Sequence, residues 1–557
     1  MVKVRFEEKS IIRSRRSKRR LVKKDDFLAL EEFHPYGVLP GGNRFFGSSH
    51  SKHHRREEIL TDNLWQQILS FCDAEVLGKM LQVSRYFYVS GHQPELWRDL
   101  VLRKCKNEKV TIDRAKASWK DTYVNMFHGN GSNSCPQHRP IPLTGVYSDE
   151  LYRTHLCRSF AIPSAWLEES SENESIPCYK EVTRIHVDEV TPKHFFEHYE
   201  NQNIPVLIEG AGKGKACKLW SDPNYLQNHN AKFKTFRATS GAAPLPANFT
   251  LESYQEYCKF SYLEESPLYL FDRTAFDSNG QWYDDFFPEF YKLCPYWDPS
   301  AMLGHDMLQH LGANRRPDHT WLISGPKRSG SVFHLDPNAT HAWNACIQGR
   351  KRWIFYPPGT NPPGIFPSED GDEVALPLSV GEWLMQYWEE HMERYRTQPA
   401  HKRPLECTVH PGDVIFVPHG WWHMVVNLDD RNIAITHNYV SPSNLGNVLK
   451  FFTEKQDQVS GCRDRKESIK PEYLYDEFVK VLQEKEPEHL QKALTQSDWS
   501  CLAWNDGSSK ESFDSNACGL QNKDRKRQLD NDGEDVNERK SVMAKTEKVE
   551  AFTFSFL

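Results

Sequence analysis

Between Thr320 and Thr436 the chain is written in short apolar runs cut by Gly and Pro. The runs are Thr320–Ser324, Ala345–Ile347, Trp353–Tyr356, Val414–Val417, Met424–Asn427 and Ile433–Thr436. Gly325-Pro326, Gly349, Pro357-Pro358 and Pro411-Gly412 punctuate them. Runs this short cannot be helices of ordinary length, and the bounding residues are turn formers. Many short strands with turns between them predict a double-sheet barrel. Pro205–Ile208 predicts one more strand, and Thr191–Tyr199 an amphipathic helix that opens on a Pro.

The chain is longer than one such barrel. At 557 residues it calls for two or more structural units. Its hydrophobic share of 38% falls below that of a uniformly compact protein, which predicts a real core flanked by polar ends. The net charge of -6 excludes a protein that is basic all over, but it hides a local run. Arg13 to Lys24 holds Arg13, Arg15, Arg16, Lys18, Arg19, Arg20, Lys23 and Lys24, the composition of a nuclear import signal. At the other end 20 of the 46 residues from Asn505 to Glu550 are charged, which predicts a disordered tail. No apolar run has the length of a membrane span, and Met1–Arg20 lacks the apolar stretch of a signal peptide. Thirteen scattered Cys read as reduced thiols, not as a disulfide framework.

From Glu57 the apolar spacing turns helical. The residues in order are Leu64-Trp-Gln-Gln-Ile-Leu-Ser-Phe71, Leu81-Gln-Val-Ser-Arg-Tyr-Phe87 and Leu96-Trp97-Arg98-Asp99-Leu100, with Thr61 or Asp62 as a helix cap. This segment resembles an F-box, the three-helix module that docks on the Skp-type adaptor of cullin ubiquitin ligases, although Leu60-Thr61 stands where a Leu-Pro normally opens the motif. Cys135, His138, His155 and Cys157 do not make a zinc site, because a His-x-Cys spacing is too tight for the usual ligand pattern. After Ser443, Leu445, Val448, Leu449 and Phe452 form one helical stripe, and Tyr473, Phe478, Val481 and Leu482 a second. Such stripes pack on their own domain or join two copies in a homodimer.

The chemistry centres on Phe333-His334-Leu335-Asp336-Pro337 and, 87 residues after Asp336, on Trp421-Trp422-His423. Alternate residues of a strand share a face, so His334 and Asp336 point the same way. Two imidazoles and one carboxylate on one side of a metal leave positions open, the donor set that suits Fe(II) with a chelating co-substrate. Ser324–Gly330, Trp343-Asn344, Gln348–Trp353, Pro411–Pro418 and Ile433–Asn438 surround these residues in order. Together they resemble the JmjC dioxygenases, nearest the arginine demethylase/lysyl-hydroxylase branch, from about Thr191 to the helices near Leu490.

That resemblance implies an α+β chain: a cupin-like double-stranded β-helix (JmjC), preceded by a small helical F-box and followed by helices and a disordered tail. The expected divisions are a basic arm 1–54, the F-box-like module 55–105, a connector 106–181, the JmjC domain 182–443, C-terminal helices 444–498 and the tail 499–557. It implies Fe(II) held by His334, Asp336 and His423, which are also the catalytic residues. It implies 2-oxoglutarate held by Lys351, with Asn344, Thr436, Tyr269 and Ser331 as further contacts. Gly349-Arg-Lys-Arg is also a good turn, so Lys351 by itself also reads as a surface charge. His341, His419 and His437 are not ligand candidates; His437 replaces a glutamine of the nearest branch. Asn438 belongs to the inner wall, and Trp421 and Trp422 to the core. The function implied is an iron-dependent hydroxylase of protein side chains, by lysyl hydroxylation or N-methyl demethylation on a histone or another nuclear protein. Two other readings stay open: a ligase adaptor whose cupin domain only binds a target, and a hydroxylase of RNA or small molecules.

Overall fold

The computed structural model describes residues 22–27, 33–41, 60–128, 139–167, 181–228, 234–276, 280–298, 306–462 and 465–495. The basic run before Val22, Cys135 and His138, and the tail 499–557 lie outside the described residues.

The strands in chain order are β1 Thr183–His186, β2 Val206–Glu209, β3 Thr235–Thr239, β4 Ala247–Thr250, β5 Tyr269–Asp272, β6 Thr320–Gly325, β7 Gly330–His334, β8 His341–Gln348 and β9 Lys351–Tyr356. They continue with β10 Phe366–Pro367, β11 Val374–Ala375, β12 Leu405–Val409, β13 Val414–Val417, β14 Trp422–Asn427 and β15 Asn432–Tyr439. Nine of them form a major sheet in the order β1-β2-β13-β8-β15-β6-β5-β3-β4, and four a minor sheet in the order β12-β9-β14-β7. Pairing is antiparallel except between β1 and β2. The two sheets face each other across Leu207, Ala342, Cys346, Trp353, Phe355, Ile415 and Val425, all buried. This is the double-sheet architecture that the short runs predict.

One glycine sets the closure of the minor sheet. Gly330 has φ +154°, and a Cβ there would lie 1.9 Å from the Val425 carbonyl oxygen. Only glycine lets β7 come this close to β14, next to the register shift between His423 and Val425. That approach puts His334 directly across from His423.

The N-terminal segment folds as α1 Asp62–Ser70, α2 Ala74–Met80, α3 Arg85–Ser90 and α4 Pro94–Glu108. Thr61, Asp73 and Ser84 cap the first three through their side chains. Leu96, Trp97, Leu100 and Val101 of α4 enter the same apolar core as Phe236, Phe249 and Tyr254. Leu64, Ile68, Phe71, Val76 and Val83 stay exposed on the outer side. Residues 106–181, expected as a connector, carry α5 Trp119–Phe127, α6 Asp149–Arg158 and α7 Ser164–Leu167. Ser118 and Ser148 cap two of these helices, and Trp119 and Trp166 are fully buried. The polar average of the segment conceals two large anchors.

The C-terminal helices Leu445–Glu454, Pro471–Lys485 and Pro487–Thr495 bury Leu445, Val448, Leu449, Phe452, Phe478, Leu482 and Leu490 against Met307, Leu308 and Leu311. Both stripes are thus covered by this chain, while Tyr473 stays exposed. Among the described residues nine Cys stand outside any disulfide, and no helix is long and apolar enough to cross a membrane.

Candidate active site

The site is built between the two sheets. His334 ends β7, Asp336 follows two residues later, and His423 lies on β14. The two imidazole centroids are 4.1 Å apart. His423 Nε2 lies 3.9 Å from Asp336 Oδ1, and one ligand atom from each of the three residues falls within 4.8 Å of the others. His334 Nδ1 is 2.8 Å from the Val332 carbonyl and His423 Nδ1 is 3.0 Å from that of Trp421. With Nδ1 as donor in each ring, both lone pairs sit on Nε2, and the backbone fixes the ring orientation as a second shell does for a metal ligand. Burial lowers His334 to about 3 and His423 to about 4, and it raises Asp336 to about 6. At neutral pH the trio is two neutral imidazoles and one carboxylate. Among the described residues Asp336 Oδ2, which is buried, has no hydrogen-bond partner.

The turn after Asp336 is held from outside. Asn338 and Ala339 have φ of 58° and 55°, a conformation that persists only where the surroundings over-determine it. Asn338 donates to the Ser460 carbonyl at 3.2 Å and accepts from the Ser460 amide at 3.1 Å. Asn444 donates to the Ala339 carbonyl at 3.1 Å. The C-terminal segment therefore fixes the loop that aims the carboxylate.

All five expected co-substrate contacts reach the cavity of the trio: Tyr269, Ser331, Asn344, Lys351 and Thr436. Lys351 is 1% exposed, so the surface reading of this lysine is wrong. The β9 ladder carries it inward, past the turn. Its ammonium donates to the Tyr269 hydroxyl at 2.7 Å, joining the minor sheet to the major one. A buried ammonium whose hydrogen bond goes to a neutral phenol is suited to receive a carboxylate. Asn344 and Thr436 are register partners on β8 and β15. Asn344 Oδ1 is buried without a partner among the described residues, and the Thr436 hydroxyl donates to the Trp343 carbonyl at 3.0 Å. Asn438 lines the same wall.

The other histidines serve packing. His341 Nε2 meets Ser443 Oγ at 2.9 Å, and its Nδ1 accepts the His419 amide at 3.0 Å. His419 contacts the Asn447 side chain. His437 has neighbours that line the cavity, but its own ring turns the other way, to Asp306 at 3.2 Å and Thr320 at 2.8 Å.

Trp353 went unnoticed in the sequence. Its indole packs at 5.8 Å on the His423 ring and lines the cavity. Its position two residues after Lys351 on one strand was the available signal. A second hollow shares Tyr269, Phe271, Ser331 and His334 with the first. It extends past Glu265, Ser266, Arg328 and Leu378, the last of these exposed. Only tertiary folding assembles that passage.

Comparison with known proteins agrees with this geometry. The model of the cupin-like domain matches residues 192–444. The arginine-specific demethylase JMJ22 of Arabidopsis thaliana is 35% identical over 468 residues, 82% of each chain. The chain belongs to the JmjC, cupin-like family. A bifunctional arginine demethylase and lysyl-hydroxylase, psr-1 of Caenorhabditis elegans, is 28% identical over 61% of this chain and 78% of its own. The human 2-oxoglutarate and iron-dependent oxygenase JMJD4 is 34% identical over 26% of this chain and 34% of its own.

This JmjC protein is an oxygenase whose cofactors are Fe(II) and 2-oxoglutarate. The residues present fit both. The orphaned Asp336 oxygen and two oriented imidazoles offer a facial donor set for iron. Lys351, with Tyr269, offers a buried cationic end for the far carboxylate of 2-oxoglutarate.

Proposed function

We propose that this JmjC enzyme demethylates arginine side chains of proteins, histones or other nuclear proteins among them, with lysyl hydroxylation as a second reaction of the same site. The observation that carries the reading is the continuity between the trio's cavity and the hollow that leads outward from His334. A side chain can enter there while the co-substrate end stays enclosed around Lys351. The names of JMJ22 and psr-1 favour arginine and, for psr-1, lysine as well.

When bound, the iron and 2-oxoglutarate supply hydroxylation of an unactivated C–H bond. On an N-methyl group the hydroxylated product collapses to the free nitrogen and formaldehyde. The chain's own residues do the rest. Lys351 and Tyr269 orient the co-substrate, His334, Asp336 and His423 hold the metal, and the ring of Trp353 keeps water from one side of His423. The test is mass spectrometry of methylated and unmethylated histone peptides incubated with enzyme, Fe(II) and 2-oxoglutarate. Loss of a methylene mass from methylarginine supports demethylation, and gain of one oxygen on lysine supports hydroxylation. Neither change on any peptide, with succinate still released, would count against a protein substrate and favour RNA or a small molecule.

The outer side of α1 and α2 suits a Skp-type adaptor, which would couple the enzyme to a cullin ligase. Support comes from the F-box-like residue order and from the exposed Leu64, Ile68, Phe71 and Val76. Leu96 and Trp97 are buried and belong to the shared core, so the docking test is better made with Leu64→Ser and Phe71→Ser in a pull-down. Retained capture of the adaptor by the double variant would remove the F-box reading. A nuclear location rests on Arg13 to Lys24 and is tested by replacing those basic residues and imaging the protein. A homodimer through the C-terminal helices would have to use their outer side, around Tyr473.

A further inference from the structure

The lip of the active site runs from Leu263 to Leu270. It carries Glu265, Ser266 and Pro267 at the outer hollow and Tyr269 at the Lys351 ammonium. Its anchors come largely from residues that precede the matched cupin-like domain. Arg158 of α6 donates to the Leu263 carbonyl at 3.1 Å. Glu95 of α4 accepts the Glu265 amide at 3.1 Å. Arg153 of α6 donates to the Glu265 carboxylate at 3.0 Å. The densest anchor is Glu264, whose carboxylate is fully enclosed. It accepts from Arg98 at 3.1 Å, from the Trp119 indole at 2.9 Å and from the Tyr257 hydroxyl at 2.7 Å.

Tyr257 passes this anchor onward. The oxygen that donates to Glu264 also accepts the Leu268 amide at 2.7 Å. The Tyr254 hydroxyl contacts the Leu268 carbonyl at 3.2 Å, the Ser324 carbonyl at 2.8 Å and the Leu270 amide at 3.1 Å. Tyr269 lies between these two clamped residues, and its hydroxyl must meet Lys351 across the gap between the sheets. Tyr254 and Tyr257 are both buried, so water cannot replace the bonds they make.

We propose that the N-terminal helices are part of the co-substrate clamp. Arg98 and Trp119, acting through Glu264 and Tyr257, hold β5 at the height where Tyr269 receives the Lys351 ammonium. Arg98, Trp119, Glu264 and Tyr257 are positioning residues; none of them lines the cavity around Lys351. The proposal explains why these helices share a core with the cupin domain instead of hanging from it on a linker. It rests on the reading of Lys351 as the anchor of 2-oxoglutarate.

The test uses the full chain with two conservative variants, Tyr257→Phe inside the relay and Trp119→Phe on the helical side. Tyr257→Phe removes one hydroxyl and keeps its ring in the core, and Trp119→Phe removes the indole N–H and leaves a smaller aromatic ring in its place. Co-substrate binding is measured by equilibrium dialysis of 2-oxoglutarate against the Fe(II)-loaded protein without oxygen. Hydrogen exchange of the Leu268–Leu270 amides is measured in parallel. Each variant is expected to weaken 2-oxoglutarate binding roughly three- to ten-fold and to speed exchange at those amides. In turnover the loss falls on KM for 2-oxoglutarate more than on kcat. The double variant binds no worse than the weaker single one, because both cut one relay. Unchanged binding and exchange in the folded Trp119→Phe protein overturns the proposal, and so does a loss confined to kcat. Lys351→Met distinguishes this failure from that of the underlying reading: if it leaves 2-oxoglutarate binding intact, the anchor itself is misassigned.

Discussion

Lys351 and Arg352 are consecutive residues on one buried strand, 1% and 3% exposed, and they face opposite sides of the minor sheet. Lys351 turns into the cavity, where its ammonium bonds the Tyr269 hydroxyl. Arg352 turns outward beneath helix Val380–Thr397, and there the charges are matched. Its guanidinium donates twice to Glu406, at 3.1 and 2.5 Å, and once to Thr408, and it lies over the Trp166 ring. Glu406 also meets His391 Nε2 at 2.8 Å and accepts from Tyr395 at 2.8 Å. In the cavity that Lys351 lines, by contrast, Asp336 Oδ2 and Asn344 Oδ1 have no partner among the described residues. A polar cluster satisfied from within holds the fold. A buried cluster left incomplete is prepared for something that arrives later.

The largest expected effect lies on the incomplete side. Asp336→Ala and His423→Ala should each lower succinate release by about a thousandfold or more, the loss expected when a metal worth several kcal/mol to the transition state is no longer held. Denaturant unfolding of the metal-free Asp336→Ala protein should change by less than about 1 kcal/mol, since burial disfavours the carboxylate and its Oδ2 has no hydrogen-bond partner among the described residues. Full turnover in both variants would remove the iron assignment.

Arg352→Met should do the reverse. It leaves Glu406 buried beside His391 and Tyr395 without its guanidinium, a loss of about 3–5 kcal/mol in stability. At a temperature where the variant is still folded, its KM for 2-oxoglutarate should match that of the parent. A stable Arg352→Met protein with impaired co-substrate binding would erase the division between the two faces of the strand.

Lys351→Met sharpens the same contrast. Losing one charge-assisted contact to a carboxylate should raise KM for 2-oxoglutarate roughly ten- to a hundredfold. The thermal midpoint should not fall, because no carboxylate of the chain pairs with Lys351 among the described residues. A fall in stability as large as that of Arg352→Met would show that Lys351 is a structural charge.

This contrast was only half legible in the sequence. Strand alternation placed His334 beside Asp336, and the motif order supplied His423, Lys351, Asn344 and Thr436. Alternation alone could not tell which side of β9 was the cavity, since Lys351 and Arg352 are adjacent basic residues after a turn. The passage beyond His334 was illegible for a different reason. Glu265, Arg328 and Leu378 come from separate segments that only the packed fold brings together. Residues 106–181 read as a connector because their average is polar, while Ile112, Trp119, Val146, Leu151, Phe160 and Trp166 are all buried.

Glu200 falls between the two regimes and gives the smallest effect. It is 7% exposed and accepts from the Tyr439 hydroxyl at 2.7 Å, so it is satisfied by hydrogen bonds but not by charge. Burial raises its carboxyl to about 7. Below the ordinary carboxylate range the group is protonated in both the folded and the unfolded chain, and its contribution to stability is fully present. As pH rises through about 7 the unfolded chain is already ionised, the folded one must ionise in a buried place, and stability is lost. Glu200→Gln keeps an acceptor for Tyr439 and carries no proton to lose. At pH 5 the variant and the parent should unfold at nearly the same denaturant concentration. At pH 8 the variant should be the more stable by about 1–3 kcal/mol. A parent that gains stability relative to the variant between pH 5 and pH 8 would mean that a positive charge compensates Glu200, and that its surroundings belong with those of Glu406.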